Sequence, residues 1–578
     1  MAEACAAELR GRGASDVELV VGDSDGPDLV LTVSGMGSFA LAVLVCGDGF
    51  TLGPLTWPGK AGCWNCAALR LQANMPFLDP GEARAGNPAR AGRMAATAAL
   101  EALAAGPSAH GLAQHLLRVD GVTGAVSRHR VLPAPRCGVC GGPPVHHGTD
   151  AAEPPGSEVE TLRALADLVD GRTGVINAVV IESGEALGLD APIVSTAVTA
   201  CAPDGAQPPT PMPVGWGKGL TPATAMIGAA GEALERYAAS LPDPRRVIWA
   251  RLDELPDGEV ADPRLFPLYD AAQYARPGFP FPPFDLQIAH PWVRGWRPAT
   301  GAPAWIPAAF TFLDFTYSRP QAFCGGTSNG LATGTRVADA AVRALLELVE
   351  RDAVMAAWRT RSPGQAVTVD AAWDEDLLGV LQGLERLGAA VEVSLLPSAC
   401  GYPVAMALAF GDGRDWPGVT LGLGADPDAR LAIRQAVLEL GQTGPYLRRL
   451  MRQGAAIPEG PEAVCEMMDH AVFYFDPRRA AAFDDLRGGG PGLSWRDLWA
   501  GPPRTLEGCV GALEAAGVRV WLADVTSADL AMTPFRVVRA VSPDLQPISF
   551  GFGLDRASTT RIAARAADLP ADYVSPIW

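Results

Sequence analysis

The chain lacks a surplus of positive charge. Its 46 Lys and Arg stand against 64 Asp and Glu, a formal net charge of −18. That balance excludes general binding to a nucleic-acid backbone, where cationic side chains supply most of the affinity. A local basic pocket for a nucleotide stays open. The first ten residues have no basic stretch followed by an apolar one, so no secretion signal is expected. The longest apolar run, Phe39 to Cys46, is too short to cross a bilayer. Cytoplasmic residence, away from membranes, is the expectation that follows.

Nor is the composition that of a disordered chain, since 48% of residues are hydrophobic, 19% are charged and 14 are Trp. At 578 residues the length exceeds one core and predicts about three to four domain-sized units, fewer if one is large. The 11 cysteines are an odd number, and four of them form two C-x-x-C pairs. In a reducing compartment such pairs mean metal more often than disulfide. The scattered others, among them Cys46, Cys201 and Cys324, read as buried inert thiols.

Short apolar segments at Val17–Val21, Leu29–Val33 and Leu41–Val45 predict strands. Between two of them, Gly35 to Ala40 matches G-x-G-x-x-A, but a strand-like segment follows where a dinucleotide loop needs a helix, so a turn is expected. Cys63 and Cys66 sit in C-W-N-C before a helix, and Cys137 and Cys140 in C-G-V-C. The pairs must meet through the fold, and four thiolates suit a closed structural Zn²⁺ site with no open position. His146 and His147 are not needed as ligands. An Ala-rich helix is expected over about 90 to 105, and a Pro- and Gly-rich linker over 141 to 158.

Beyond the linker, a helix near 162–168 and strands near 174–181 and 193–200 lead to a signature that occurs twice. The first copy runs G-W-G-K-G-L-T-P-A-T-A-M-I-G-A-A-G-E-A-L-E-R to Arg236; the second runs from Ser328, S-N-G-L-A-T-G, to E-L-V-E-R at Arg351. Each reads as a Gly-rich turn, an Ala-rich helix and a terminal E-x-x-E-R. Carboxylates three apart share a helix face, so Glu232 with Glu235, and Glu347 with Glu350, are each offered to a common point. One copy alone reads as a solvated face; two, each after glycines, point to a metal and phosphate site. Lys218, Arg236 and Arg351 supply positive charge, and carboxylates in number suit Mg²⁺ shared with phosphates. The residues alone therefore point to ATP and Mg²⁺, without a Walker loop or kinase motifs. The Pro- and aromatic-rich segment 242–310 reads as a packed irregular cap or a surface for an extended peptide. Later strands are expected at 390–395, 404–409, 419–424, 518–524 and 535–541, with a long helix over 428–450.

These motifs resemble the YcaO superfamily over roughly residues 160 to 578. The resemblance rests on the two signatures, on W-V-R-G-W-x-x-x-T-G with Ile306 to Ala308, on R-Q-A-V-L-E-L-G-Q, and on V-V-R-A-V-S-P-D-L-Q-P. It implies that Glu232, Glu235, Glu347 and Glu350 bind ATP through Mg²⁺. Asp339 takes an upstream acidic place, and Glu439 with Gln442 fits a later E-x-x-Q. The first unit resembles the zinc-bearing part of the ubiquitin-activating-like domains fused to YcaO in peptide cyclodehydratases. The implied architecture is α+β: a small zinc-bearing α/β domain over 1–150, then a large α+β ATP-binding domain over 151–578.

The implied activity is ATP-dependent cyclodehydration of Cys, or Ser and Thr, in a ribosomally made precursor peptide. Thioamide formation, amidine macrocyclisation and an inactive precursor-binding scaffold are the alternatives. The first unit is too short for a leader-binding domain, so a separate leader-binding partner is expected, with a flavin-dependent azoline oxidase downstream and a homodimer as the assembly. Two features depart from the family: Gly228 stands where a Ser is frequent, and the end reads S-P-I-W where azoline-forming members often carry a Pro-rich tail. No residue is assigned as a catalytic acid or base.

Overall fold

The computed structural model describes residues 16–21, 29–35, 39–46, 49–56, 61–74, 94–95, 97–98, 112, 114–144, 154–185, 188, 193–199, 214–313, 315, 318–370, 373–565 and 574–576. Most of the helix expected over 90–105 lies outside these residues, as do His146, His147 and Cys201. Among the described residues no helix is long and apolar enough to cross a membrane.

The architecture is α+β. Short apolar segments build an antiparallel sheet in sequence order from Asp16–Val21, Leu29–Gly35, Phe39–Cys46, Gly49–Thr56, His115–Val119 and Val126–Arg130. The segment Phe39–Cys46 is a strand and not the helix a dinucleotide loop needs; residues 36–38 of the expected turn lie outside the described residues. Against this sheet lies the helix Trp64–Asn74, which starts within C-W-N-C.

Three further sheets follow. Ile176–Glu182, Ile193–Thr199 and Val214–Gly219 pair antiparallel. A seven-stranded sheet includes His290–Arg297, Ala302–Pro307, Trp521–Asp524, Arg536–Val541 and Leu331–Gly334. A five-stranded sheet includes Ala390–Leu396, Val404–Phe410 and Val419–Ala425. The helix Val337–Thr360 is the shared core: Leu345, Val349 and Trp358 are buried among residues of both large sheets. The aromatic segment is a packed cap, in which Tyr269 stacks on Phe281 at 5.2 Å and meets Phe279 edge-on at 4.9 Å.

One local build occurs three times: a glycine-bearing strand turns tightly into a long helix that lies back on it. Val214–Gly219 leads into Pro222–Ala239, Leu331–Gly334 into Val337–Thr360, and Val419–Ala425 into Ala429–Arg452. Thr221 caps the first helix by accepting from the Thr224 N–H at 3.1 Å, with Pro222 at the first turn, where its missing N–H costs nothing.

Gly215, Gly217 and Gly219 are not a turn: they are alternate residues of a strand, and none has a positive φ. A Cβ on Gly215 would lie 2.2 Å from the Ala229 carbonyl oxygen, and one on Gly217 would lie 1.9 Å from that of Ala225. The glycines let a strand backbone touch a helix backbone, and Ala225, Ala229 and Ala233 complete the contact. Gly422 and Gly424 do the same against Ala436 and Ala432. In the second copy a turn does occur, at Gly330 with φ of 83°, ahead of its short strand.

Candidate active site

Two clusters gather the residues singled out from the sequence. In the first, Cys63, Cys66, Cys137 and Cys140 bring their sulfurs within 4.8 Å of one another. Cys63 Sγ lies 3.4 Å from Cys137 Sγ, and Cys66 Sγ lies 3.6 Å from Cys140 Sγ. A tetrahedral zinc site with Zn–S bonds of about 2.3 Å needs sulfurs roughly 3.8 Å apart, so the donor set fits that ion. All four thiols are unbridged. Hydrogen bonding from Cys66 holds the Cys63 thiol down at about 5, and the same bond with burial pushes Cys66 up. Asn65 Nδ2 donates to Cys137 Sγ at 3.3 Å, a supporting contact of the kind that orients metal ligands.

The second cluster is assembled from the three strand–helix units. Strand Leu331–Gly334 of the second copy docks on the first-copy helix Pro222–Ala239: the Thr333 N–H donates to Glu235 Oε1 at 2.7 Å, and its hydroxyl to the Gly231 carbonyl at 2.9 Å. Glu232 accepts from the Trp216 N–H at 2.7 Å and from Arg236 Nη2 at 2.9 Å. Tight strand–helix packing thus aims the Glu232 carboxylate at its own strand. The third unit adds Glu439, which pairs with Lys218, and Gln442, whose Nε2 donates to the Gly217 carbonyl at 3.3 Å.

The carboxylates form a row of electrical neighbours in the order Glu232, Glu235, Glu347, Glu350 and Glu439. Burial raises Glu235 well above the usual carboxylate range, and the charges of Glu347 and Glu232 raise it further. Burial also lifts Glu347 to about 7 against the pull of Arg351, and raises Glu350. Glu439 goes the other way: burial would raise it, but Lys218 and Arg351 overcome that and hold it low. Five carboxylates face Lys218, Arg236 and Arg351, and Arg539 also draws on Glu347; the acids still outnumber the bases, and burial with mutual repulsion makes Glu235, Glu347 and Glu350 hold their protons more tightly than free carboxylates do. Among the described residues no hydrogen-bond donor reaches the Glu347 carboxylate, and the buried Nε atoms of Arg236 and Arg351 make no hydrogen bond, that of Arg351 lying 3.6 Å from Glu350 Oε1. Spare oxygen ligands beside spare guanidinium donors fit a divalent cation carried with an anionic phosphate chain.

A cavity of about 470 Å³ opens on one end of this row. Glu232, Glu235 and Asp339 line it, with Thr333, Arg343 and Arg504. Lys218, Arg236, Glu347, Glu350, Arg351, Glu439 and Gln442 stand outside that lining. Thr333, Arg343 and Arg504 were not singled out from the sequence. Arg343 was within reach, being four residues after Asp339 on one helix face. Arg504 offered no local signal; it comes from an irregular segment and is held by Asp426 at 2.8 Å.

Comparison with known proteins decides the family. The family described as YcaO cyclodehydratase, ATP- and Mg²⁺-binding, matches residues 216–546, which contain both signatures and the third helix. The chain belongs to the YcaO family. An uncharacterized protein from Methanothermobacter thermautotrophicus is 28% identical over 290 residues, covering 49% of this chain and 68% of that one. Two solved structures share this chain's fold. A heterocyclase in complex with substrate and cofactor superposes with a TM-score of 0.72 at 20% identity, covering 93% of this chain and 78% of the other. The heterocyclase TruD gives 0.59 at 20% identity, covering 95% and 72%.

Proposed function

We propose that this YcaO protein is an ATP-dependent cyclodehydratase that converts Cys, or Ser and Thr, of a ribosomally made precursor peptide into thiazoline or oxazoline. Residues 1–150 would form the zinc module and residues 151–578 the catalytic domain. The observation that carries the reading is the row of five buried carboxylates, contributed by three helices, that outnumber the cations set among them.

ATP solves a leaving-group problem in this chemistry. The side-chain thiol or hydroxyl releases its proton to solvent as its sulfur or oxygen adds to the preceding amide carbon, which turns the carbonyl oxygen into an oxyanion. That oxyanion takes the γ-phosphoryl group and ADP departs. The amide nitrogen then loses its proton, C=N forms, and the C–O bond breaks with phosphate as leaving group. Mg²⁺, held by Glu232, Glu235, Glu347 and Glu350, would supply charge neutralisation along the phosphates. Arg236 and Arg351 offer guanidinium donors, Lys218 a point charge kept in place by Glu439, and Gln442 fixes the strand that carries Lys218. Asp339, on the cavity wall, is a further acidic residue proposed to act at this site.

The substrate is a peptide, and a separate leader-binding protein would present it; a flavin-dependent oxidase would act on the azoline afterwards. Mass spectrometry of a candidate precursor incubated with ATP, this protein and its leader-binding partner tests the reading. Loss of one water per modified residue supports it. Oxygen replaced by sulfur would assign thioamide formation instead, and ATP-independent or absent change would refute both.

A further inference from the structure

Arg70 lies one helical turn past Cys66 on Trp64–Asn74, so the helix that begins in the thiol cluster presents both on one face. That face is pressed into the body of the chain. Arg70 is 4% exposed, Tyr237 is 1% and Asp529 is fully buried. The guanidinium donates to the Tyr237 hydroxyl at 2.7 Å, pairs with Asp529, and reaches the Leu132 carbonyl at 3.4 Å. The Tyr237 hydroxyl donates in turn to Asp529 Oδ2 at 2.6 Å. The other Asp529 oxygen accepts from Ser527 Oγ at 2.6 Å and from the Leu530 N–H at 2.9 Å. One turn beyond Arg70, buried Asn74 donates to the Gly174 carbonyl at 3.2 Å and accepts from Asn177 Nδ2 at 2.8 Å.

Tyr237 follows Arg236 on the first-copy helix. It is two residues from Glu235, about 200° round the axis, so it grips the back of the helix whose front carries the carboxylates. A dry ion pair adds little net stability, but it penalises displacement strongly, because any slip leaves a buried charge without its partner. A planar guanidinium that must satisfy a hydroxyl, a carboxylate and a carbonyl together tolerates less movement than a point charge would. Cys66, Arg70 and Tyr237 thus join the two clusters by one rigid path.

We propose that Arg70 is a positioning residue: acting through Tyr237 and Asp529, it ties the four-cysteine module to the helix carrying Glu232 and Glu235, so that metal occupancy of the thiol cluster tunes nucleotide–Mg²⁺ binding. This rests on the reading of that helix as the ATP–Mg²⁺ site.

The test uses the full zinc-loaded chain. Tyr237→Phe removes one hydroxyl and keeps the ring; Arg70→Met with Asp529→Leu removes both charges and keeps the bulk. Three quantities are measured: zinc per chain, the melting midpoint, and the Mg²⁺ concentration for half-maximal binding of a non-hydrolysable ATP analogue. Zinc content is expected to stay at the wild-type value while the Mg²⁺ midpoint rises about 3- to 30-fold. Stripping zinc from the wild type with a zinc-selective chelator, then removing the chelator, is expected to raise the midpoint similarly. The same treatment of Tyr237→Phe is expected to add less than about twofold more, since the path is already cut. Variants that melt lower with an unchanged Mg²⁺ midpoint would make the triad a packing feature and overturn the proposal. Variants that shift while zinc removal does not would refute the link to the thiol cluster. Glu235→Ala separates the underlying reading: if it also leaves nucleotide binding unchanged, the ATP–Mg²⁺ site lies elsewhere and the proposal falls with it.

Discussion

Gly217→Ala is the sharpest test of how this site is built. A Cβ there would stand 1.9 Å from the Ala225 carbonyl oxygen and 2.3 Å from the Ala229 nitrogen. Carbon and carbonyl oxygen meet at about 3.3 Å even in close contacts, so strand and helix would have to separate by roughly 1.4 Å. Both obstructing atoms are backbone and cannot swing aside. The cost falls at the upper end of the overpacking range, about 3 kcal/mol, which corresponds to a melting shift of roughly 6–12 °C if a unit of 150–250 residues unfolds together. Because the Trp216 N–H that holds Glu232 belongs to the same strand, ATP turnover should fall as well. The assay is thermal melting of nucleotide-free protein beside peptide-dependent ATP hydrolysis. A glycine needed for phosphate approach would lose turnover without losing nucleotide-free stability. That outcome, or a melting point within about a degree of wild type, would refute the packing argument. Gly228→Ser is the contrast: its Cβ would meet the Gly217 Cα at 3.4 Å, and a shift under about 1 kcal/mol is expected, since a helix interior favours Ser over Gly.

Three more outcomes are expected. Glu235→Gln keeps an acceptor for the Thr333 N–H and removes a charge repelled by Glu347 and Glu232; ATP turnover should drop by at least about 10-fold while Mg²⁺-free melting stays level or rises, and a fall in both would contradict the electrostatic reading. Zinc analysis should return one ion per chain, and Cys66→Ser should lower both zinc content and melting midpoint, by an amount within the 2–5 kcal/mol range typical of losing a covalent staple from a small module. Burial holds the His470 imidazole below its usual range, and the neutral ring accepts the Gly551 N–H on Nε2 at 3.0 Å while Nδ1 faces the Ser575 carbonyl at 2.9 Å. The unfolded chain therefore takes up this proton first, so stability is full above the unfolded value of about 6.5 and declines as pH falls through it toward the lower folded value. Denaturant titrations at pH 7.5 and 5.5 should show the decline, and His470→Gln should flatten it.

Much of the site was legible in one dimension because its chemistry sits on helices. Two E-x-x-E-R runs put paired carboxylates on one face by the 3.6-residue period alone, and the same period placed Arg236 and Arg351 beside them. The four cysteines were legible as pairs because each C-x-x-C is a single turn. The role of G-W-G-K-G was misread, since glycine serves equally for a turn and for two backbones in contact. Only the Ala225 and Ala229 carbonyl and amide positions distinguish the two. Arg504 and the Arg70–Tyr237–Asp529 triad were out of reach because each member is ordinary within its own segment.

The α+β class came with the family resemblance, while by itself the sequence determined the ligand types and the spacing of carboxylates along their helices and of thiols within their pairs. Those properties are set within one or two turns or strands, where local geometry leaves few choices. The tertiary structure decided which elements meet. It closed Cys63 on Cys137 and Lys218 on Glu439, 221 residues apart, put the second-copy strand on the first-copy helix, and turned two similar signatures into one row of carboxylates. Those pairings follow from strand order and from how closely a glycine strand can approach an alanine helix, and such distances between elements leave no period in the chain.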